Sequence, residues 1–299
     1  MTLRILEPGF YSLVVDHGRP GTRSLGVPIS GAADRFSLAI GNGLVGNGPD
    51  EAALEISLVG PTVQAGCELA CVLFGAPFTI ASGRQQLRAG TTFTLEEDEI
   101  ISIGNTTAGM RGYLCVRGGF ESNCILNSRS SLEPLKAGGE LPCSPGRIAA
   151  RFVRSSFAWN RQPYVLRALD GPQSEWFAGD DFFQVPHRVA EASDRMGIRL
   201  EGGKTHPPAQ DMISEPVCPG SVQVTGESAS IVLGVDAQTI GGYPKIAQVI
   251  SADLDKLGQL RPGDQVRFAR VDLAEAELLY RQKQQELREW LTRLSNALR

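Results

Sequence analysis

The apolar residues of this chain come in short runs, and that constrains its fold more than any other feature. YSLVV, LACVLFGA, FTLEEDEIISIG, RGYLCVRGG, SIVLGV and KIAQVIS are rich in Val, Ile, Leu and Phe and are punctuated by Gly or Pro. Runs of this length suit strands and are short for helices, so the pattern predicts a mainly β protein built of barrels or sandwiches. Two segments read as helices instead. DRFSLAIGNGLV opens on Asp34, a suitable N-cap. The tail from Asp272 to Arg299 repeats Leu273, Tyr280, Leu287 and Leu294 every seven residues, with Leu291 and Leu298 widening the stripe. Such a stripe packs either on the chain's own barrel or on a helix of another chain. Alternation is lost over 151–162 before YVLRALDGPQSEWF starts a new strand pattern. The expected organisation is an N-terminal β-barrel-like domain over 1–157, a C-terminal one over 158–271 and an amphipathic helix over 272–299.

Composition removes several function classes. A net charge of −4 over 299 residues gives no basic footprint for nucleic acid or for an anionic membrane surface. The first residues lack the pattern of a secretory signal, and no stretch approaches the roughly twenty apolar residues of a membrane span. The expectation is a soluble cytoplasmic protein. The six cysteines include no CxxC pair, and His17, His187 and His206 form no HxH or HExxH spacing, so no metal site is expected. Buried free thiols are the expected state of Cys67 and Cys71.

Gly41-Asn42-Gly43-Leu44-Val45-Gly46 fits GxGxxG by letter, but a helical pattern precedes it where a strand is required. It reads as a helix C-terminus entering a loop. No GxxxxGK[ST] is present either. Two other segments concentrate chemistry. SDRMGIRLEG supplies Ser193, Asp194 and Arg195, while VDAQTIGGYPKIA supplies Asp236, Gln238, Thr239, Tyr243 and Lys245 around Gly241 and Gly242. Glycines that allow close backbone approach, beside an acid, an amide, hydroxyls and an ammonium, suit a polar and partly anionic ligand; a glycine-rich β-turn with incidental polar residues is the alternative. DHGRPG and GVPISGAAD add Arg19, Ser30 and Asp34 on glycine-punctuated loops, and Arg129 lies between small hydroxyl residues in NSRSS. Arg19 has the fork geometry to grip a carboxylate or phosphate, whereas Asp16 either pairs with it or serves the ligand.

Those blocks, in order and together with LVGN and LEISLVGP, resemble the second subunit of the allophanate hydrolase and biotin-dependent carboxyltransferase-like family. The likeness runs from about Glu7 to about Phe268. Members include the C subunit of bacterial ATP-dependent 5-oxoprolinase, a domain of urea carboxylase and a non-catalytic antagonist of a kinase inhibitor. The resemblance implies two cyclophilin-like β-barrels, a B-type first subunit (allophanate hydrolase subunit 1 type) as partner, a further A-type subunit, a small amide or lactam substrate and ATP as co-substrate of the complex. Under it Lys245, Gln238, Tyr243 and Arg195 would carry catalysis, and Arg19, Ser30, Asp34, Arg129, Ser193, Asp194, Asp236, Thr239, Gly241 and Gly242 would bind substrate or nucleotide. The alternatives it leaves open are the carboxyltransferase part of a urea-type system and the regulatory module. No methionine is followed by lysine, so this chain carries no covalent biotin. It also passes almost directly from Ser131 to Lys136, where relatives insert a glycine-rich stretch.

Overall fold

The computed structural model describes residues 1–153, 163–177, 181–203, 205 and 212–296. The expected boundary at 157–158 and His206 lie outside the described residues. The protein is mainly β, and its chain divides into two compact units: Met1–Arg19, Ser30–Trp159 and Glu286–Arg299 in the first, Pro20–Ile29 and Asn160–Gln285 in the second.

The first unit contains ten strands: β1 (Thr2–Glu7), β2 (Tyr11–Val15), β3 (Ala53–Ser57), β4 (Thr62–Ala65), β5 (Leu69–Gly75), β6 (Phe78–Ser82), β7 (Phe93–Leu95), β8 (Ile100–Thr106), β9 (Arg111–Val116) and β10 (Glu140–Pro142). They form two five-stranded sheets, ordered β10-β1-β4-β8-β6 and β2-β3-β9-β5-β7. Every pairing within them is antiparallel. Inward-facing residues of both sheets, among them Leu3, Ile5, Val63, Ile101, Leu54, Ile56, Leu73 and Leu114, share one core.

The second sheet is also covered on its other face. There Leu13, Val15, Ala53, Val72, Phe74 and Cys115 pack against Phe36, Leu38, Ile40 and Leu44 of helix α1 (Arg35–Val45). This is why β3, β5 and β9 are buried almost without interruption: a strand covered on both faces has no solvent side to alternate with.

A polar network enters that sandwich. Glu55 Oε1 meets Arg111 Nε at 3.2 Å, with both side chains at 2% exposure or less. Glu55 Oε2 accepts from the Tyr113 hydroxyl at 2.8 Å and from the Ala33 amide at 2.9 Å. The Tyr113 oxygen accepts in turn from the Asp34 amide at 2.8 Å. Asp34 caps α1, its Oδ1 accepting from Ser37 N at 2.9 Å and its Oδ2 from the Ser37 hydroxyl at 2.7 Å.

The second unit is a closed seven-stranded barrel. Its strands include β11 (Tyr164–Asp170), β12 (His187–Val189) and β13 (Gly197–Glu201), followed by a short β14 (Glu215–Pro216) outside the barrel. β15 (Ser221–Val224) and β16 (Ser230–Leu233) precede β17 (Ile240–Gly241), which pairs with β14 alone, and β18 (Lys245–Val249) and β19 (Gln265–Arg270) complete the closure. The barrel order is β11-β18-β15-β16-β13-β12-β19, with β11 and β19 parallel. Leu166, Ile198, Val222, Val232, Ile246 and Val266 fill it, and Phe182 stacks on Phe268 with ring centroids 4.6 Å apart. His187 places its two ring nitrogens against Gly202 O and Phe182 O, which makes it a structural histidine. A five-residue helix α2 (Leu254–Gly258) precedes β19.

The final helix, α3 (Leu273–Asn296), does not use its seven-residue stripe uniformly. Leu287 and Leu294 join the α1 core, whereas Leu273 and Tyr280 are exposed. In its first half Ala276 and Leu279 pack instead, on Ile250 and Ala252. A straight α-helix drifts by about 20° per heptad, so a strict seven-residue repeat cannot keep one face over three heptads. No helix among the described residues is long and apolar enough to cross a membrane.

Replacing Arg111 with Met leaves the Glu55 carboxylate buried without its cation. The expected loss is about 3–5 kcal/mol of stability, read as a lowered urea midpoint, and adding Glu55→Leu should recover part of it.

Candidate functional site

The two segments richest in polar side chains meet in the second unit. Met196 O accepts from Gly234 N at 2.8 Å and Arg195 O from Asp236 N at 3.2 Å. The approach demands glycine at 234, where a Cβ would lie 2.2 Å from Arg195 O. Arg195, almost fully buried, forks onto Asp236, with Nε to Oδ2 at 2.6 Å and Nη2 to Oδ1 at 3.2 Å. Ser193 and Asp194 shape the turn before it. Asp194 Oδ1 accepts from the amides of Met196 and Gly197, and Ser193 Oγ accepts from Arg199 N.

Lys245 begins β18 with its side chain inside the fold. Its Nζ donates to Glu215 Oε2 at 2.5 Å, and its backbone N to Gln173 Oε1 at 3.1 Å. Gln173 Nε2 completes the triangle on Glu215 Oε2 at 3.2 Å. The hydrogen bonds from Lys245 and Gln173 hold the Glu215 carboxyl below its usual range. The backbone supports this contact tightly, since a Cβ at Gly171 would lie 2.1 Å from Lys245 O.

The sequence predicts that Gly241 lets the chain approach a ligand. In the structure it approaches Gln223, whose Nε2 would sit 2.5 Å from a Cβ there and has no hydrogen-bond partner of its own. Thr239 is buried, and its carbonyl accepts from Val217 N. Gln238, Gly242 and Tyr243 are exposed, as are Met196, Ile213 and Ile240. Glu215 and Gln173 are invisible to motif reading because their partnership with Lys245 spans 30 and 72 positions without a local pattern.

In the first unit, Asp16 and Arg19 serve one loop. Asp16 Oδ1 accepts from Gly18 N at 2.8 Å, Ser128 Oγ at 2.7 Å and Ser130 Oγ at 2.6 Å, and Oδ2 accepts from Arg129 N at 2.5 Å. Arg19 donates to Ile125 O at 3.2 Å and Ser130 O at 2.7 Å, and it is 5% exposed. Its fork, expected on a ligand, grips backbone carbonyls. The loop so held contains a tight turn in which Leu126 and Asn127 both adopt left-handed φ, +52° and +60°, between Ile125 and Ser128. Arg129 Nη1 donates to Ser122 O. Ser30 is buried at φ +54°, its hydroxyl without a partner, and Asp34 acts as the helix cap described above. All six cysteines are free: Cys67, Cys71, Cys115 and Cys143 are buried, and Cys124 and Cys218 are exposed. Burial pushes the Cys143 thiol up to about 12, which keeps it protonated and inert.

Burial alone would raise the Asp16 carboxyl, but donors from Ser130, Ser128, Arg129 and Gly18 outweigh it and hold the group below its ordinary value. A depressed carboxyl stabilises the fold above its unfolded pKa, and that contribution disappears as pH falls through the lower folded value. Urea midpoints followed from pH 6 to pH 2 should therefore drop below about pH 4, with a shallower drop in Asp16→Asn.

Known proteins share this architecture. The family described as carboxyltransferase domain, subdomain A and B, matches residues 25–270. The C subunit of the Escherichia coli 5-oxoprolinase is 35% identical over 98% of this chain and 99% of its own length. That of Haemophilus influenzae is 33% identical over 94% of both. The Kluyveromyces lactis urea carboxylase structure superposes with a TM-score of 0.86 at 25% identity, over 97% of this chain and 29% of its own. Other solved chains of the fold are also longer, this chain spanning 56% of their length at a TM-score of 0.82.

Proposed function

The chain belongs to the carboxyltransferase domain family, subdomains A and B, and from that premise we propose that it is a C-type subunit of an ATP-dependent 5-oxoprolinase. Such a cytoplasmic complex opens 5-oxoproline to glutamate, and it joins this chain to a B-type first subunit, with an A-type one beside them. The observation that carries the reading is the 35% identity to the C subunit of a 5-oxoprolinase across nearly the full length of both chains.

The chemistry asks for cations and donors. A lactam is a poor electrophile, and ATP, as co-substrate of the complex, supplies the activation of its carbonyl. This chain offers exposed Gln238, Gly242 and Tyr243, and two buried cations, Lys245 and Arg195. Both cations are held by their own carboxylates, Glu215 and Asp236, which fixes their positions before substrate arrives. In this reading Tyr243 and Gln238 touch the substrate, while Lys245 and Arg195 lend positive charge to the oxygen that becomes more negative.

A second reading, carboxyl transfer, is favoured by the likeness to urea carboxylase over 97% of this chain. In it biotin arrives on another chain, and the same donors would orient the acceptor amide.

The test is glutamate release from 5-oxoproline by this chain co-purified with its partner subunits, with and without ATP. ATP-dependent release that vanishes when this chain is omitted is expected; no release from a well-formed complex rejects the reading. Within an active complex, Lys245→Ala should lower turnover at least tenfold, a loss of about 1.4 kcal/mol in barrier terms. Unchanged turnover and ATP affinity would remove Lys245 from the site.

A further inference from the structure

A cavity of about 310 Å³ in the first unit is lined by residues that the proposed reaction does not use, including Asp16, His17, Asp50, Glu51, Cys124 and Arg129. Both of its walls are pinned by buried side chains. Asn42, fully buried, donates to Pro49 O at 3.4 Å and to Glu51 O at 2.8 Å, fixing the stretch that carries Asp50 and Glu51. Asp16 fixes the opposite stretch through Arg129 N and Ser128 Oγ.

The charged groups on these walls are not consumed by one another. Among the described residues Arg129 makes no ion pair, and its Nη1 is spent on a backbone carbonyl, Ser122 O. Asp50 and Glu51 likewise have no cationic partner among the described residues. His17 Nδ1 is buried without a hydrogen-bond partner, so no bond at that nitrogen fixes the ring.

Arg129 shares this cavity with Asp50 and Glu51, and a lining that carries both signs of charge complements a molecule that does the same. We infer that this cavity binds a free α-amino acid, with its carboxylate on Arg129 and its ammonium at Asp50 and Glu51. A side-chain carboxylate would satisfy the His17 ring. This rests on the proposed function only for the choice of first probe: glutamate is a zwitterion with such a side chain, whereas 5-oxoproline, whose nitrogen is a neutral amide, lacks the ammonium. A site of this kind would bind glutamate in preference to 5-oxoproline.

Calorimetric titration of the 299-residue chain with L-glutamate tests this, alongside 5-oxoproline and N-acetyl-L-glutamate. Saturable binding is expected, weakened at least tenfold by N-acetylation, by Asp50→Asn with Glu51→Gln, and by Arg129→Gln. Each variant is accepted only if its thermal midpoint matches the parent. Bound glutamate should also slow alkylation of Cys124 by iodoacetamide while leaving Cys218 unchanged. No saturable binding of L-glutamate or L-alanine overturns the inference, as does binding indifferent to N-acetylation and to the carboxylate variants. Neither result bears on glutamate release, so failure of this site and failure of the 5-oxoprolinase reading are separable.

Discussion

The ion pair of Glu55 and Arg111 is the constraint on which the first unit depends. It lies within a sheet that has apolar cores on both faces, where an uncompensated charge is most costly. Each oxygen of Glu55 is assigned: one faces Arg111, the other takes the Tyr113 hydroxyl and the Ala33 amide. Because Tyr113 also accepts from Asp34 N, the same network sets where α1 begins. Apolar packing alone would tolerate a helix shifted along the sheet, whereas these directional contacts leave it one starting point.

The same logic recurs at Asp16. Four donors converge on one carboxylate, three of them from the 128–130 segment. Arg19, three positions later, seizes two carbonyls of the same loop. The DHGRPG motif therefore acts as a clamp, with its acid taking the amides and hydroxyls and its base the carbonyls. A loop held this way can keep Leu126 in a left-handed conformation that a free turn would relax.

Much of the fold was legible in the sequence because its signals are local. Short apolar runs gave the mainly β architecture, Asp34 announced α1, and the misplaced GxGxxG was a helix end, with Gly46 in the left-handed cap position. The site was legible only in part. SDRMG and VDAQT are recognisable as polar segments, and Arg195 and Asp236 do meet. What each side chain does with its charge was hidden, because Glu215, Gln173 and Gln223 reach Lys245 and Gly241 from distant parts of the sequence and not through a local pattern. The tail was legible as an amphipathic helix that packs on its own chain, but its seven-residue spacing does not mark one face: Leu287 and Leu294 are in a core, whereas Leu273 and Tyr280 are exposed.

The path of the chain through its two units carries a further consequence. Residues Pro20–Ile29 leave the first unit for the second, and Glu286–Arg299 return to the first after the barrel is complete. Neither unit is therefore a contiguous stretch that a ribosome finishes before starting the other. The core of α1 waits for Leu287 and Leu294, which are made only after every strand of the barrel. Co-translational folding of the first unit must pause in an incomplete state until that helix emerges, and a chain cut short before Leu287 would be damaged in the domain that was begun first.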